Sequence, residues 1–145
     1  MSGQHITGGQ PLTQLLQGLK RIAVLGIRSE RCRQLPTYYV PEYMASRGVE
    51  IIPVPVYEPT VTQILGFPVI RDLKNIPGQV DLVNVFRRPT DIDAHVPDLL
   101  ALKPAAVWFQ QGIRNDNAAA QLTQAGIHVV QDRCLMVDYR NLVPA

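Results

Sequence analysis

Residues 22–33 of the chain read IAVLGIRSERCR, a short apolar run followed by a glycine and a basic loop. The apolar part, residues 22–25, is too short for a typical helix and contains β-branched side chains, so it predicts a buried β-strand. Similar runs, each bounded by turn-forming residues, occur at 49–54, 82–86, 105–109 and 127–130. A weaker run at 67–70 predicts a short additional edge strand.

Segments with helical periodicity separate these runs. They cover residues 38–47, 91–102 and 115–125, while leucines between Leu12 and Leu19 predict a lead-in helix and residues 132–139 a final short one. A proline is tolerated only in the opening turn of a helix, so Pro41 places that helix start near Tyr38 and leaves a long loop at 26–37. The alternation predicts an α/β fold: a doubly wound, mostly parallel sheet of five to six strands with helices on both faces.

Length and composition indicate one globular domain of 145 residues, with 46% hydrophobic and 18% charged residues. We expect the domain to span residues 12–145 after a poorly ordered tail, residues 1–11, which is rich in glycine and polar residues. No apolar run approaches the roughly 20 residues that a membrane span needs, and the N-terminus does not resemble a secretory signal. Cys32 and Cys134 are expected to be reduced thiols of a cytoplasmic protein. The formal charge of +2 does not favour general binding to nucleic acid.

Arginines cluster in the loops that follow the predicted strands. In a doubly wound sheet, ligands bind beyond the carboxyl ends of the strands, so these loops are the candidate site. The arginines there are Arg28, Arg31, Arg33, Arg87, Arg88 and Arg114. The guanidinium group suits phosphate oxygens, and the N-terminus of the helix near Tyr38 also favours anions. The pattern predicts a phosphate-bearing nucleotide ligand at this edge; the alternative is that these loops are simply charged and solvated.

The first loop departs from the dinucleotide-binding fingerprint. After Gly26, the second and third glycine positions of a G-x-G-x-x-G pattern hold Arg28 and Arg31. The second strand ends without the acidic residue that would bind a ribose diol, and Glu58 comes several residues too late. Both departures argue against an NAD-dependent enzyme.

Residues that suggest catalysis are sparse. His5, His95 and His128 fall in the predicted tail, a helix and the last strand, so we expect them to be structural. Ser29 has no evident base near it in sequence, and no spacing of cysteines and histidines suggests a metal site. Cys32 lies between two arginines, an arrangement that would lower the pKa of its thiol and make it reactive, but we favour the alternative that it is an incidental loop cysteine.

Six stretches of the chain resemble the small single-domain CoA-binding proteins of bacteria. They are IAVLG at 22–26, YVPEYM at 39–44, GVEIIPV at 48–54, VDLVNVFRRP at 80–89, VWFQQG at 107–112 and DRCL at 132–135. The resemblance covers about residues 20 to 142. The family is similar to the CoA-binding domain of succinyl-CoA synthetase, with a Rossmann-like sheet. The resemblance does not extend to the second domain of that synthetase, which carries its phosphorylated histidine.

The resemblance implies where CoA would lie. The loop after Gly26, with Ile27, Arg28 and Ser29, would contact the CoA phosphates, and residues Pro53, Val54 and Pro55 would line the adenosine side. The pantetheine or pyrophosphate would be bordered by Phe86, Arg87, Arg88 and Pro89, with Gln111 and Gly112 completing the rim. Arg33 joins this set as one of the arginines of the first loop.

Three functions follow from these residues. The first is non-catalytic binding of CoA or an acyl-CoA, as a carrier, a sensor or a partner of an unknown enzyme; an exposed apolar helix face would also allow a homodimer. The alternative is an NAD(P)-binding oxidoreductase or regulator that uses the same edge, because arginines can accept a 2′-phosphate. A third is a mixed disulfide between Cys32 and CoA.

Overall fold

Strands and helices alternate along residues 3–145, the part of the chain that the computed structural model describes. The elements are α1 (Gly9–Gln17), β1 (Arg21–Leu25), α2 (Pro36–Ser46), β2 (Glu50–Val54), β3 (Gln63–Ile64), β4 (Phe67–Pro68), β5 (Leu82–Val85), α3 (Pro89–Ile92), α4 (Val96–Leu102), β6 (Ala106–Gln110), α5 (Asp116–Gln124), β7 (His128–Arg133) and α6 (Leu135–Leu142). Short 3-10 turns cover Glu30–Cys32, Leu73–Asn75 and Asp93–His95. None of these helices has the length and apolar character required to cross a membrane.

The five longer strands form one parallel sheet in the order β2–β1–β5–β6–β7. In β1, Ile22 lies opposite Ile51 of β2 on one side and Leu82 of β5 on the other. The chain therefore leaves β1 for one edge of the sheet and returns on the opposite side, which opens a crevice between the ends of β1 and β5. The α/β, Rossmann-like fold predicted from the sequence is confirmed.

Side chains of the strands alternate between two apolar layers. Residues such as Leu25, Val83 and Val107 pack with α4 and α5 on one face. The neighbours Val24, Leu82 and Trp108 pack with α1, α2 and α6 on the other. Trp108 is fully buried in this core, and its indole N–H donates to the backbone carbonyl of Arg133 at 2.8 Å. Burial on both faces explains why the strands are almost continuously apolar.

The N-terminal residues differ from the predicted tail. The N–H of Ile6 donates to the carbonyl of Val129 at 2.7 Å, and the N–H of Val129 donates to the carbonyl of Gln4 at 2.9 Å. These bonds add a short parallel bridge beside β7, and the Ile6 side chain is buried. Because backbone pairing and apolar burial fix this stretch, residues 3–8 pack on the domain and α1 begins at Gly9; residues 1 and 2 lie outside the described part.

Helix α2 begins two residues before the predicted start, and Pro41 lies buried inside it. Pro41 has no N–H, so the carbonyl of Thr37, four residues earlier, lacks its usual helical donor. That carbonyl instead accepts a hydrogen bond from the backbone N–H of Arg28, with 3.2 Å between the atoms. The prediction was wrong because a bond from another segment satisfies the carbonyl that the proline leaves free.

Two further predictions need correction. The run at 67–70 forms no strand of the main sheet. Phe67–Pro68 pairs with Gln63–Ile64 in a separate hairpin, whose turn residues Leu65 and Gly66 both have positive φ, and the run contacts β2 through the N–H of Ile70, which donates to the carbonyl of Pro53 at 2.9 Å. The helix predicted at 91–102 is divided by the 3-10 turn Asp93–His95. Pro97 cannot donate to the carbonyl four residues before it, and the N–H of Val96 bonds to the Asp93 carbonyl instead.

Candidate functional site

The ends of β1 and β5 meet closely at the crevice where strand order reverses. Gly26 follows β1, its N–H donates to the carbonyl of Val54 at 2.9 Å, and the N–H of Phe86 donates to the carbonyl of Leu25 at the same distance. Gly26 has φ 89°, and a Cβ added there would lie 2.3 Å from the carbonyl oxygen of Phe86. A glycine is therefore required here by both the backbone conformation and the close approach of the two strand ends.

The carboxylate of Glu58 fastens the loop that follows Gly26. It accepts from the backbone N–H of Ser29 at 2.9 Å, from Nε of Arg28 at 3.0 Å and from the Ser29 hydroxyl. Burial alone would raise the pKa of the Glu58 carboxyl, but the hydrogen bonds from Ser29 and the charge and hydrogen bond of Arg28 outweigh it and hold that pKa below its ordinary value. The loops after β1 and β2 are thus joined by a charged carboxylate.

Two of the predicted arginines lie close to the same aromatic ring. The guanidinium carbon of Arg28 lies 5.0 Å from the centre of the Tyr57 ring, and that of Arg87 lies 6.0 Å from the same centre. Tyr57 is 52% exposed, so its ring lies at the surface of the crevice. One neighbouring arginine comes from the loop after β1 and the other from the segment after β5. Cation–π attraction stabilises this grouping.

Arg87 and Arg88 both have partners in the helical segment that follows β5. Arg87 donates through Nε to Nε2 of His95 at 3.2 Å, and its Nη2 lies 3.7 Å from the carboxylate of Asp91. Arg88, whose side chain is 78% exposed, donates to Asp91 at 2.8 Å. Burial and the charge of Arg87 together lower the pKa of His95 despite the nearby Asp98 and Asp91. The imidazole is therefore neutral and accepts a hydrogen bond rather than carrying a charge.

A cleft of about 570 Å³ opens on the α4 side of the crevice, and we call it the β2 cleft. Residues that line it include Val54, Pro55, Pro59, Arg71, His95 and Asp98. Its walls combine apolar side chains from the end of β2 with charged side chains from the segments that precede β5 and α4. The cleft can therefore take a ligand that has both a flat apolar part and charged groups.

A second cleft of about 390 Å³ lies on the α2 side, and we call it the β6 cleft. Residues that line it include Thr37, Tyr39, Phe86, Gln111, Gly112 and Cys134. The hydroxyl of Thr37 is buried and has no hydrogen-bond partner within residues 3–145. Gln110, also in the wall, accepts a hydrogen bond from the buried Asn84 at 3.2 Å. The β6 cleft thus pairs an apolar wall with amide groups and an unsatisfied hydroxyl.

Most of the predicted site residues surround the crevice. Gly26, Arg28, Ser29, Phe86 and Arg87 are brought together there, Val54 and Pro55 line the β2 cleft, and Gln111 and Gly112 line the β6 cleft. Three other predicted site residues do not line the crevice or either cleft. Ile27 is fully buried, Pro53 is buried within β2 with its carbonyl accepting from Ile70, and Pro89 is the first residue of α3.

The six arginines of the predicted edge do not all meet at the crevice. Arg114 pairs with Asp116 at 3.0 Å in a separate depression beside α5, because its loop follows β6, which is separated from β1 by β5. Arg33 is exposed on the 3-10 turn of the first loop and donates to the carbonyl of Glu30 at 3.3 Å. At the crevice, Arg28 and Arg87 share a contact with Tyr57, and Arg88 shares Asp91 with Arg87.

Several residues of the site were not predicted from the sequence. His95 lines the β2 cleft, although its place in a predicted helix suggested a structural role. Cys134 rather than Cys32 lines the β6 cleft. Arg71 and Thr37 have no local pattern that marks them, whereas Tyr57 follows a predicted strand end and could have been found there.

Comparison with known proteins identifies the family. Residues 20–140 match the family described as CoA binding domain. YneT of Bacillus subtilis (strain 168), an uncharacterized protein, is 36% identical over 126 residues, which are 87% of this chain and 90% of YneT. The structure of cell-free ID.343 from Thermus thermophilus is similar with a TM-score of 0.84 and 38% identity, covering 92% of this chain and 97% of the other. A hypothetical protein from Pyrococcus horikoshii OT3 has a TM-score of 0.82 at 24% identity, over 93% of this chain and 92% of its own, and supports the fold alone. Because the matched residues include the whole parallel sheet and both clefts, the chain belongs to the family of CoA-binding domains.

Proposed function

We propose that the protein binds coenzyme A or an acyl-CoA at the carboxyl edge of its sheet and catalyses no reaction on it. The observation that carries the proposal is the crevice itself: in a CoA-binding domain, two arginines and a tyrosine stand at the switch point between two clefts. A carrier, a sensor of CoA, or the CoA-binding partner of a separate enzyme would each need such a site.

The side chains around the crevice fit the chemistry of CoA. The nucleotide end of CoA carries anionic phosphates, which arginine side chains bind well, and Arg28 and Arg87 both lie beside Tyr57. The pantetheine arm has amide groups and a long uncharged chain. The β6 cleft offers Phe86 and Tyr39 for the chain, and the unpartnered Thr37 hydroxyl for an amide. The donors therefore suit both halves of the ligand.

In the proposed arrangement the adenosine lies on the side of β2, beside Val54 and Pro55. The pyrophosphate would be held near Arg28 and Arg87, and the pantetheine would run toward the β6 cleft. This assignment follows the division of the crevice into a charged cleft and a more apolar one. Acyl groups would be accommodated beyond Gln111 and Gly112, at the rim of the β6 cleft.

The hydrogen bonds of the two candidate bases, Glu58 and His95, support a binding role rather than catalysis. The Ser29 hydroxyl donates to Glu58, but the lowered pKa of this carboxylate makes it a weak base at neutral pH. The Nε2 lone pair of His95 accepts from Arg87. Within residues 3–145, no three His, Cys, Asp or Glu side chains come close enough together to hold a metal ion. Each candidate base is thus occupied by a structural hydrogen bond.

Isothermal titration calorimetry tests the ligand class, with CoA and NADPH added separately to the purified protein. We expect CoA to bind and NADPH not to bind, because the glycines of the dinucleotide fingerprint are absent. Binding of NADPH alone would favour the oxidoreductase or regulator instead. Absence of heat with both ligands would contradict the proposal for the isolated chain.

A second assay tests the absence of catalysis. The protein is incubated with acetyl-CoA, and free thiol is followed with a thiol reagent. We expect the rate of thiol release to equal that of buffer alone, while calorimetry on the same sample shows binding. Release above the buffer rate that disappears in His95→Ala would show that the site is catalytic.

A further inference from the structure

Arg71 is the arginine of the β2 cleft that bonds only to neutral groups. Its Nη2 donates to the carbonyls of Glu58 at 2.9 Å and Val61 at 2.8 Å, and its Nη1 lies 3.4 Å from the carbonyl of Tyr57. These bonds hold the guanidinium beside the loop that carries Tyr57. The side chain is therefore positioned by the backbone and not by an opposite charge.

The charge of Arg71 differs in this respect from the charges of its neighbours. Arg28 is paired with Glu58, whereas Arg87 and Arg88 are both paired with Asp91. Among the residues that the structure describes, no carboxylate forms an ion pair with Arg71. A guanidinium has five N–H groups, so donors remain for a ligand after the carbonyl bonds. The positive charge is available to an anion that enters the cleft.

The other titratable side chains that line the β2 cleft do not attract an anion. Asp72 and Asp98 also line the β2 cleft, and their carboxylates repel an anionic ligand. His95 has a lowered pKa and adds no positive charge. An anionic group could therefore be stabilised in this cleft only beside Arg71, with its planar fork suited to phosphate oxygens.

We infer that Arg71 recognises the 3′-phosphate of CoA and so distinguishes CoA from nucleotides that lack this group. The inference rests on the proposed function, in which the adenosine lies beside Val54 and Pro55. These residues line the same cleft as Arg71, so a phosphate on the ribose would face the guanidinium. Arg71 is a specificity-determining residue, and the pyrophosphate is left to Arg28 and Arg87.

The experiment compares CoA with 3′-dephospho-CoA by calorimetry in the wild type, Arg71→Gln, Arg71→Lys and the control Arg140→Gln, which changes an exposed arginine on α6. The wild type and the control should bind CoA roughly tenfold or more tightly than dephospho-CoA, as expected for a charge-assisted bond to phosphate. In Arg71→Gln the ratio of the two dissociation constants should fall close to one. Arg71→Lys should keep part of the discrimination because it retains the charge.

The ratio of the two dissociation constants separates recognition of the 3′-phosphate from a purely structural role of Arg71. If Arg71 only holds the loop, Arg71→Gln weakens both ligands equally and leaves the ratio unchanged, which overturns the inference. Equal affinity of the wild type for both ligands overturns it while leaving CoA binding intact, whereas no binding of either ligand removes the proposed function as well. If Arg71→Gln does not fold, competition against CoA in the wild type by adenosine 3′,5′-bisphosphate and by AMP decides, and equal potency of the two overturns the inference.

Discussion

The carboxylate of Glu58 accepts hydrogen bonds from both the backbone N–H and the hydroxyl of Ser29, with 2.9 Å from the Ser29 nitrogen to Oε1. The two residues are 29 positions apart: Ser29 lies in the loop that follows β1, and Glu58 in the loop that follows β2. Glu58 holds this position with a positive φ of 59°, a conformation that costs free energy in a residue with a side chain. The hydrogen bonds offset that cost and make the two loops one unit.

Glu58→Gln should lower stability in a pH-dependent way. The folded-state pKa of Glu58 lies below its ordinary value of 4.5, so the stabilisation by the carboxylate is present above that pH and is lost as the pH falls through the folded pKa. At pH 7 we expect the variant to lose about 1–3 kcal/mol of unfolding free energy, the range for hydrogen bonds to charged groups. Urea unfolding at several pH values should show the two stability curves converging below pH 4.5.

Ser29→Ala provides the matched control for this pair. It removes the hydroxyl donor but keeps the backbone N–H bond to Glu58, so its loss should be smaller than that of Glu58→Gln. Because the residues are in direct contact, the effects of the two substitutions should not add in the double variant. Additive losses, or stability curves that stay parallel down to acid pH, would show that the pair is not coupled.

Gly26→Ala should destabilise the protein more than Gly112→Ala. Both glycines have positive φ, 89° and 86°, so alanine is strained at either position. At Gly26, however, the new Cβ would lie 2.3 Å from the carbonyl oxygen of Phe86, whereas at Gly112 it would meet nothing within 4 Å. We expect about 1 kcal/mol for Gly112→Ala and at least about 3 kcal/mol for Gly26→Ala, measured by chemical denaturation. Equal losses would contradict the close approach of β1 and β5.

Thr37→Val should keep or raise stability and weaken CoA binding. The Thr37 hydroxyl is buried without a partner in residues 3–145, so replacing it with a methyl group removes an unsatisfied polar group worth about 1 kcal/mol. The proposed pantetheine contact would be lost at the same time. Thermal denaturation and calorimetry measure the two effects. Thr37→Ser, which retains the hydroxyl, should keep the affinity for CoA; a loss of affinity there as large as in Thr37→Val would assign the effect to packing.

Arg28→Gln and Arg87→Gln should each weaken CoA binding, because each removes a cation from the crevice beside Tyr57. We expect at least about a tenfold rise in the dissociation constant for either variant, with a weaker dependence on salt concentration than in the wild type. Arg140→Gln serves again as the control on α6 and should bind like the wild type. Unchanged affinity in both variants would remove these arginines from the site.

The strands could be predicted because each buried strand appears in the sequence as a short apolar run bounded by turn-forming residues. The neighbours Leu82 and Val83 are buried by helices on opposite faces of the sheet, so successive residues of the run must all be apolar. The helix boundaries were less accessible. Pro41 was expected to lie in the opening turn of a helix that starts near Tyr38, but the Arg28 N–H satisfies the Thr37 carbonyl, and nothing near Thr37 in the sequence indicates this donor.

The edge of the sheet at which the candidate site lies could be predicted, but the contacts between its residues could not. Arg28 and Arg87 follow predicted strands, and parallel strands place such loops together. Arg114 follows a strand as well, but the strand order puts it beside α5. The order of strands depends on which crossover the chain makes, and a local pattern does not specify it.

The α/β class, the parallel strands and the edge at which the arginines lie could therefore be inferred from local patterns, because periodicity, turn residues and strand ends are local properties of the chain. The folded domain was needed to show that Glu58 binds Ser29, that Arg28 and Arg87 both lie beside Tyr57, and that Arg71 lines the β2 cleft without a carboxylate partner among residues 3–145. Such pairings join residues far apart in the chain, and the free energy that selects them comes from packing and hydrogen bonding of the folded domain as a whole.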